Sequence, residues 1–142
     1  MSATKKTSKK QGKRHMTAKL AAYVNTTPGW HGMNWIRPAK RQAIYCRDGD
    51  RCCYCLVHTN NCDERMTLDH VIARELGGTN DAENLVMACL TCNCSKGAMS
   101  AVDFAQVLAD RGINPVLVAR RIKERTARKL NMAEGRKRAG VN

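Results

Sequence analysis

Two Cys-x-x-Cys pairs are the residues in this sequence whose types and spacing most clearly indicate chemistry. The first pair is Cys52 with Cys55, and the second is Cys89 with Cys92. Such a turn presents two thiolates to one ion, so two turns supply the four sulfur ligands at about 2.3 Å that structural zinc requires. The pairs therefore predict a four-cysteine zinc site, whose binding would contribute on the order of 10 kcal/mol to folding.

A redox dithiol or a disulfide pair is the alternative explanation for these cysteines. The chain has 8 cysteines, and no apolar segment follows its basic N-terminus as in a signal peptide. We therefore expect a cytoplasmic, reducing location, where metal ligation is favoured over disulfides. Cys53 and Cys94 lie beside the predicted ligands and are the alternatives to them, whereas Cys62 and His58 are expected to be spectators.

Four polar residues follow the first cysteine pair at positions that suit catalysis: Asp69, His70, Asn84 and Asn93. Carboxylate and amide oxygens are hard ligands, so Asp69 and Asn93 suit Mg²⁺ or Mn²⁺ rather than zinc. Strand alternation would place His70 on the face opposite Asp69. Histidine ordinarily titrates near neutrality, which suits a general base that activates water.

Short elements must position these residues. MTLDHVIA and LVMAC resemble two strands joined by a loop that contains Gly77-Gly78, and TCNCSKG predicts a short helix that closes at Gly97. A helix is expected from Pro38 to near Gly49. Ser100 and Asp103 suit the start of another helix over DFAQVLADRG. The fold class predicted from these elements is α+β.

A longer helix is predicted from Asn114-Pro115 to about Met132. Its apolar stripe, at a spacing of four, would dock on the core and consists of Val118, Ile122, Thr126 and Leu130. Basic residues occupy the rest of the helix and are predicted to meet phosphates. Those assigned to nucleic-acid binding are Arg121, Arg125 and Arg128.

The excess positive charge lies in the two flanks of the chain. The formal net charge is +13, and residues 1–36 contain seven basic and no acidic residues. Residues 37–100 are balanced, whereas residues 101–142 contain ten basic and four acidic residues. A neutral centre with basic flanks indicates a folded site carried on segments that bind a polyanion, and nucleic acid is the expected partner.

The segment from Leu68 to Gly97 resembles the HNH endonucleases, in the zinc-containing subgroup with the ββα-metal fold. The resemblance covers residues from about 37 to 98. It rests on several spaced features at once: Asp69-His70, Gly77-Gly78, Asn84-Leu85, Cys89-x-x-Cys92-Asn93 and Lys96-Gly97. The sequence departs from many members at Asn93, where they have histidine.

The resemblance implies a role for each of these residues. His70 would be the general base, and Asp69 with Asn93 would hold one Mg²⁺ or Mn²⁺ ion. Asn84 would brace the loop and orient His70, and Lys96 would contact a phosphate. The products of DNA hydrolysis would carry 5′-phosphate and 3′-hydroxyl ends.

The resemblance also implies an organisation and a set of partners. The expected parts are a disordered basic arm (residues 1–28), an HNH nuclease domain with zinc (29–100) and a basic helical extension (101–142). A phage or mobile element is the implied origin. Duplex or branched DNA is the implied substrate, with a phage terminase or another DNA-processing protein as a partner. No apolar run reaches the ~18 residues of a membrane span, so none is expected.

Other functions remain open from the sequence. A zinc module that binds DNA or RNA without catalysis explains the cysteines and the charge equally well, but it does not require the four polar residues together. A ribonuclease of the same fold would use similar backbone chemistry. Individually, Asn84 fits a turn residue, Asn93 a helix cap and Lys96 an ordinary residue at a helix end.

Overall fold

Two short strands and the helix that follows them form the centre of the computed structural model, which describes residues 35–61 and 65–141. Strand β1 is Met66–His70, strand β2 is Leu85–Cys89, and they pair antiparallel with Leu68 opposite Met87 and His70 opposite Leu85. The predicted arm over residues 1–28 lies outside the described residues, as does Cys62.

Five helices surround this hairpin in the described ranges: α1 (Pro38–Arg47), α2 (Leu90–Lys96), α3 (Ala101–Ala109), α4 (Pro115–Ala127) and α5 (Met132–Ala139). Short 3₁₀ turns lie at Thr59–Asn61, Arg74–Leu76 and Ala82–Asn84. The predicted α+β class, hairpin and short helix before Gly97 are confirmed. Ser100 and Asn114 cap α3 and α4 through their side chains, as expected.

Helix α1 is anchored to β2 by the charged pair at its C-terminal end. Arg47 donates hydrogen bonds to the backbone oxygens of Ala82 (2.8 Å) and Leu85 (2.6 Å). The buried carboxylate of Asp48 accepts from the backbone N–H of Met87 at 2.7 Å and from Arg47 Nε at 2.7 Å. These bonds satisfy buried polar groups and hold the helix against the strand.

One hydrophobic core joins the cysteine pairs to the C-terminal helices. Residues on both sides of the predicted boundary at residue 100 contribute to it. Among them are Tyr54, Val86 and Cys89 on one side, and Phe104 and Val118 on the other. The rings of Tyr54 and Phe104 meet edge to face, with centroids 5.1 Å apart. Helices α3 and α4 therefore complete the core around the site.

The predicted long helix after Asn114 is wrong at its C-terminal end. Helix α4 stops at Ala127, because Arg128 adopts an extended backbone conformation (φ −80°, ψ 134°). Its buried residues are Val118, Ile122 and Arg125, so the buried stripe does not continue through Thr126 to Leu130. A separate helix, α5, then begins after Asn131, whose side chain accepts from the backbone N–H of Glu134.

Helix α5 crosses α1 at a glycine. A Cβ atom on Gly135 would clash with the backbone oxygen of Ala39 and would lie 2.7 Å from Cβ of Ala43. Glycine thus allows the two helix backbones to approach closely at this point. Within the part of the chain that the structure describes, no helix is long and apolar enough to cross a bilayer.

Replacing Gly135 with alanine should destabilise the zinc-loaded protein by about 1–3 kcal/mol, because the added methyl group overpacks the α1–α5 crossing. Urea unfolding followed by circular dichroism would measure this loss. Ala133→Leu, on an exposed position of the same helix, is the matched control and should leave stability within about 0.5 kcal/mol. Equal stability of Gly135→Ala and the wild type would contradict the close crossing.

Candidate zinc and catalytic site

The four predicted zinc ligands meet at one point. The Sγ atoms of Cys52, Cys55, Cys89 and Cys92 all lie within 4.8 Å of one another, and those of Cys55 and Cys89 are 3.8 Å apart. A tetrahedron with Zn–S bonds of about 2.3 Å has sulfur–sulfur edges of about 3.8 Å. The cluster therefore fits a zinc ion in both ligand chemistry and spacing.

Backbone hydrogen bonds fix both cysteine turns to the hairpin. In the first turn, the N–H of Cys53 donates to the backbone oxygen of Met87 in β2 at 2.8 Å. In the second, Cys89 ends β2 and caps α2, and its sulfur accepts from the N–H of Cys92 at 3.5 Å. One ion bound here would tie the first turn, the end of β2 and the start of α2 together.

The alternative ligands are outside the cluster. Cys53 is buried in the core, where burial raises the pKa of its thiol to about 12, and its sulfur is not among the four that the structure brings together. Neither Cys94 nor His58 contributes a ligand atom to the cluster that the structure brings together. Nδ1 of His58 instead accepts from the backbone N–H of Asn60 at 3.0 Å.

Helix α2 lies along β1 and bonds to it through side chains one turn apart. Nδ2 of Asn93 donates to Oγ1 of Thr67 (2.8 Å) and to the backbone oxygen of Leu68 (3.2 Å). Nζ of Lys96 donates to Oδ1 of Asp69 (3.1 Å) and to the backbone oxygen of His70 (2.9 Å). Residues at i and i+3 share a helix face, so one face of α2 contacts four consecutive residues of the strand.

Asp69 is a buried carboxylate with partners on both oxygens. Its residue is 4% exposed, Oδ1 faces Lys96, and Oδ2 accepts from the hydroxyl of Tyr54 at 2.5 Å. Burial raises the pKa of Asp69 above its ordinary value, although the Lys96 ammonium and the Tyr54 hydrogen bond act in the opposite direction. Tyr54 lies in the first cysteine turn, so the turn is bonded directly to the carboxylate.

The residues predicted to hold a divalent ion fit it in donor chemistry. Both amide hydrogens of Asn93 are directed to β1, which leaves its Oδ1 as the atom able to act as a ligand. Asp69 supplies the hard oxygen that Mg²⁺ and Mn²⁺ prefer. Oδ1 of Asp69 accepts a hydrogen bond from the Lys96 ammonium, however, so a divalent ion can bind that oxygen only if the ammonium moves away.

His70 ends β1 and is partly exposed, and its ring is hydrogen-bonded to the loop that joins the strands. Nε2 lies 2.8 Å from Oδ1 of Asn80. An amide oxygen only accepts, so Nε2 carries the hydrogen and a neutral ring has its lone pair on Nδ1. The backbone oxygen of Asn80 in turn accepts from Nζ of Lys40 at 2.7 Å, which links the loop to α1.

Asn84 braces this loop through its side chain. Its Oδ1 accepts from the N–H of Ile72 at 2.8 Å, and its Nδ2 donates to the oxygens of Ile72 (3.1 Å) and Thr79 (2.9 Å). The amide therefore closes the loop from Ile72 to Thr79, whereas Asn80 makes the ring contact with His70.

Two residues of the site were missed by the sequence analysis. Asn80 looked like an ordinary turn residue beside Gly77-Gly78 and Thr79. Tyr54 carries no signal of a site role in the sequence, because its contact with Asp69 joins residues 15 positions apart.

The basic residues assigned to nucleic-acid binding have different environments. Nη1 of Arg121 donates to the backbone oxygens of Cys53 (2.5 Å) and Tyr54 (3.3 Å). Arg125 is buried and donates to the oxygen of Arg51 at 3.0 Å. Both arginines thus hold the first cysteine turn, whereas Arg128 is exposed. Lys96 is 1% exposed, so its phosphate contact, like those of the arginines, stays a prediction.

A family model for the HNH endonuclease matches residues 52–99 of the chain. The match begins at Cys52, the first cysteine of the cluster, and ends two residues after Gly97, so it contains the hairpin, both cysteine turns and α2. Neither a curated protein nor a solved structure matches the chain.

Substitution of a cluster cysteine should remove the metal and the fold together. Cys89→Ser replaces a thiolate ligand by a hydroxyl group, and we expect loss of bound zinc with loss of cooperative unfolding. Zinc content by mass spectrometry and far-ultraviolet circular dichroism would measure both. Cys94→Ser, which lies outside the cluster, is the control and should retain zinc. Retention of zinc by Cys89→Ser, or its loss from Cys94→Ser, would contradict this ligand set.

Arg125 should contribute to the stability of the fold, whereas Arg128 should not. Arg125→Ala breaks a buried charged hydrogen bond to the first cysteine turn and should cost about 1.5–3 kcal/mol in urea unfolding of the zinc-loaded protein. Arg128→Ala, at an exposed position, should leave stability within about 0.5 kcal/mol. If Arg125→Ala unfolds like the wild type, then Arg125 does not hold the turn.

Proposed function

We propose that the chain, whose residues 52–99 match the HNH endonuclease family, is a metal-dependent endonuclease that hydrolyses phosphodiester bonds in DNA. The observation that carries this proposal is the position of His70. It is a partly exposed histidine at the end of β1, hydrogen-bonded to Asn80 and adjacent in sequence to the buried carboxylate of Asp69. A base held by a fixed partner beside a hard-ligand group is what metal-assisted hydrolysis requires.

His70 is the general base in this proposal. Asn80 holds the ring through Nε2, which keeps the accepting lone pair on Nδ1, and that atom takes the proton from the attacking water. Asn84 acts on His70 indirectly, because its side-chain amide fixes the loop that contains Asn80. Lys40 supports the same loop from α1.

Asp69 and Asn93 would hold a single Mg²⁺ or Mn²⁺ ion. When bound, such an ion supplies electrostatic stabilisation of the phosphate and of the leaving 3′ oxygen. Asn93 is oriented for this role by its two bonds to β1, and Asp69 by the hydroxyl of Tyr54. The products would carry 5′-phosphate and 3′-hydroxyl ends.

A nucleic acid is the substrate class that the charge distribution favours. Basic residues are in large excess over residues 1–36 and 101–142. In the described part, α5 presents Arg136 and Lys137 at exposed positions, whereas Arg138 is paired with Asp50 at 2.8 Å. Such groups bind the phosphate backbone without reading its sequence.

A non-catalytic nucleic-acid-binding zinc module is the second candidate function. The observation in its favour is that both oxygens of Asp69 already have protein partners, Lys96 and Tyr54. In that case the carboxylate would be structural, and the cysteine cluster would present only a binding surface.

Cleavage of supercoiled plasmid DNA by the zinc-loaded protein tests the proposal. We expect nicking when Mg²⁺ or Mn²⁺ is added and none when the divalent ion is omitted with zinc retained. His70→Ala should lower the rate by about 10²–10⁴-fold, because it removes the general base, while DNA binding persists. His58→Ala is the matched control, since His58 bonds only to its own turn among the contacts described for its ring.

Three results would change the assignment. Cleavage at the wild-type rate by His70→Ala would remove His70 as the base. Cleavage of RNA but not of DNA would make the protein a ribonuclease. Binding without cleavage of plasmid, branched DNA or RNA with any ion would favour the non-catalytic module.

A further inference from the structure

Lys96 is a deeply buried charged side chain that the catalytic proposal does not need in its present position. Its residue is 1% exposed, and Nζ lies 3.1 Å from Oδ1 of Asp69 and 2.9 Å from the backbone oxygen of His70. A lysine is rarely buried unless its ammonium is paired. Here the pairing is with the carboxylate that would also serve the divalent ion.

The two oxygens of Asp69 differ in what holds them. Oδ2 accepts from the neutral hydroxyl of Tyr54, which is fixed by its position in the first cysteine turn and by its contact with Phe104. Oδ1 is bonded to a cation. A hydroxyl hydrogen bond at Oδ2 is compatible with a metal ion at Oδ1, whereas an ammonium and a divalent ion at the same buried oxygen repel each other strongly.

Lys96 lies at the C-terminal end of its helix. It is the last residue of α2, and Gly97 follows with a positive φ of 52°. Its charge sits on a flexible four-carbon stem. If Lys96 moves away, Asn93 still holds α2 against β1. It lies one turn earlier on the same helix face and bonds to Thr67 and Leu68.

We propose that Lys96 is a built-in counter-ion of Asp69 and that a divalent cation binds this carboxylate by displacing the Lys96 ammonium. The pair keeps the buried carboxylate compensated in the metal-free protein and sets the affinity of the site. The displaced ammonium remains beside the backbone oxygen of His70, where it can donate a hydrogen bond to a substrate phosphate. This inference rests on the proposed function, since it concerns the same Asp69.

Mn²⁺ binding to zinc-loaded protein, measured by electron paramagnetic resonance without nucleic acid, tests the competition. Lys96→Met removes the ammonium and keeps a side chain of similar length, so it should tighten Mn²⁺ binding by about tenfold or more. Mg²⁺ should also raise the melting temperature of Lys96→Met more than that of the wild type. Lys123→Met removes the same charge from an exposed site on α4 and should leave the affinity unchanged.

The double variant Asp69→Asn with Lys96→Met should lose the gain in affinity, because the carboxylate is then absent. Equal or weaker Mn²⁺ binding by folded Lys96→Met would overturn the competition, as would a gain that persists in the double variant. These readouts need no cleavage. Failure of the nuclease proposal would appear instead as uncut DNA in the presence of a bound ion.

A measurement on the wild type covers the case in which Lys96→Met does not fold. The buried ammonium should give a resolved Lys96 signal in ¹⁵N-detected lysine spectra, assigned with Lys96→Arg. Mg²⁺ should shift or broaden that signal over the range in which the ion binds. An unchanged signal at saturating Mg²⁺ would overturn the proposal.

Discussion

The convergence of four cysteine sulfur atoms is the constraint on which the rest of the site depends. Cys89 is at once the last residue of β2, the cap of α2 and a member of the cluster. The first turn reaches the same point and is bonded to β2 through the N–H of Cys53. A hairpin of two five-residue strands is marginal alone, so an ion shared by both cysteine turns would add stability that the strands lack.

A chain of polar contacts connects the cysteine cluster to the residues proposed for catalysis. Tyr54 lies between the first two cluster cysteines and bonds to Asp69, and Asp69 is paired with Lys96 from α2. Asn93 and Lys96 hold β1 along its length, while Asn80 and Asn84 order the loop beyond His70. Buried networks of this kind are costly when incomplete, so each partner helps to fix a single arrangement.

The C-terminal helices are part of the same structure rather than an appendage to it. Phe104 and Val118 lie in one core with the cysteines, and Arg121 and Arg125 donate to backbone oxygens of the first turn. These arginines resemble phosphate-binding residues in sequence because a basic helix face has the same pattern in either role. Only their burial distinguishes a guanidinium that holds a backbone from one that faces solvent.

The sequence by itself determined the four cysteines of the cluster, the two paired strands, the short helix before Gly97 and the helix starts at Ser100 and Asn114. These features depend on local spacing, alternation and capping, which are legible in a few consecutive residues. The break after Ala127, the α1–α5 crossing at Gly135 and the contacts of Asp69 were decided by the tertiary structure. The crossing and the contacts join residues distant in sequence: Tyr54 and Lys96 bond to the two oxygens of Asp69, and Asn80 meets His70 only after the loop folds back. No local pattern encodes such pairings, because packing selects them after the elements have formed.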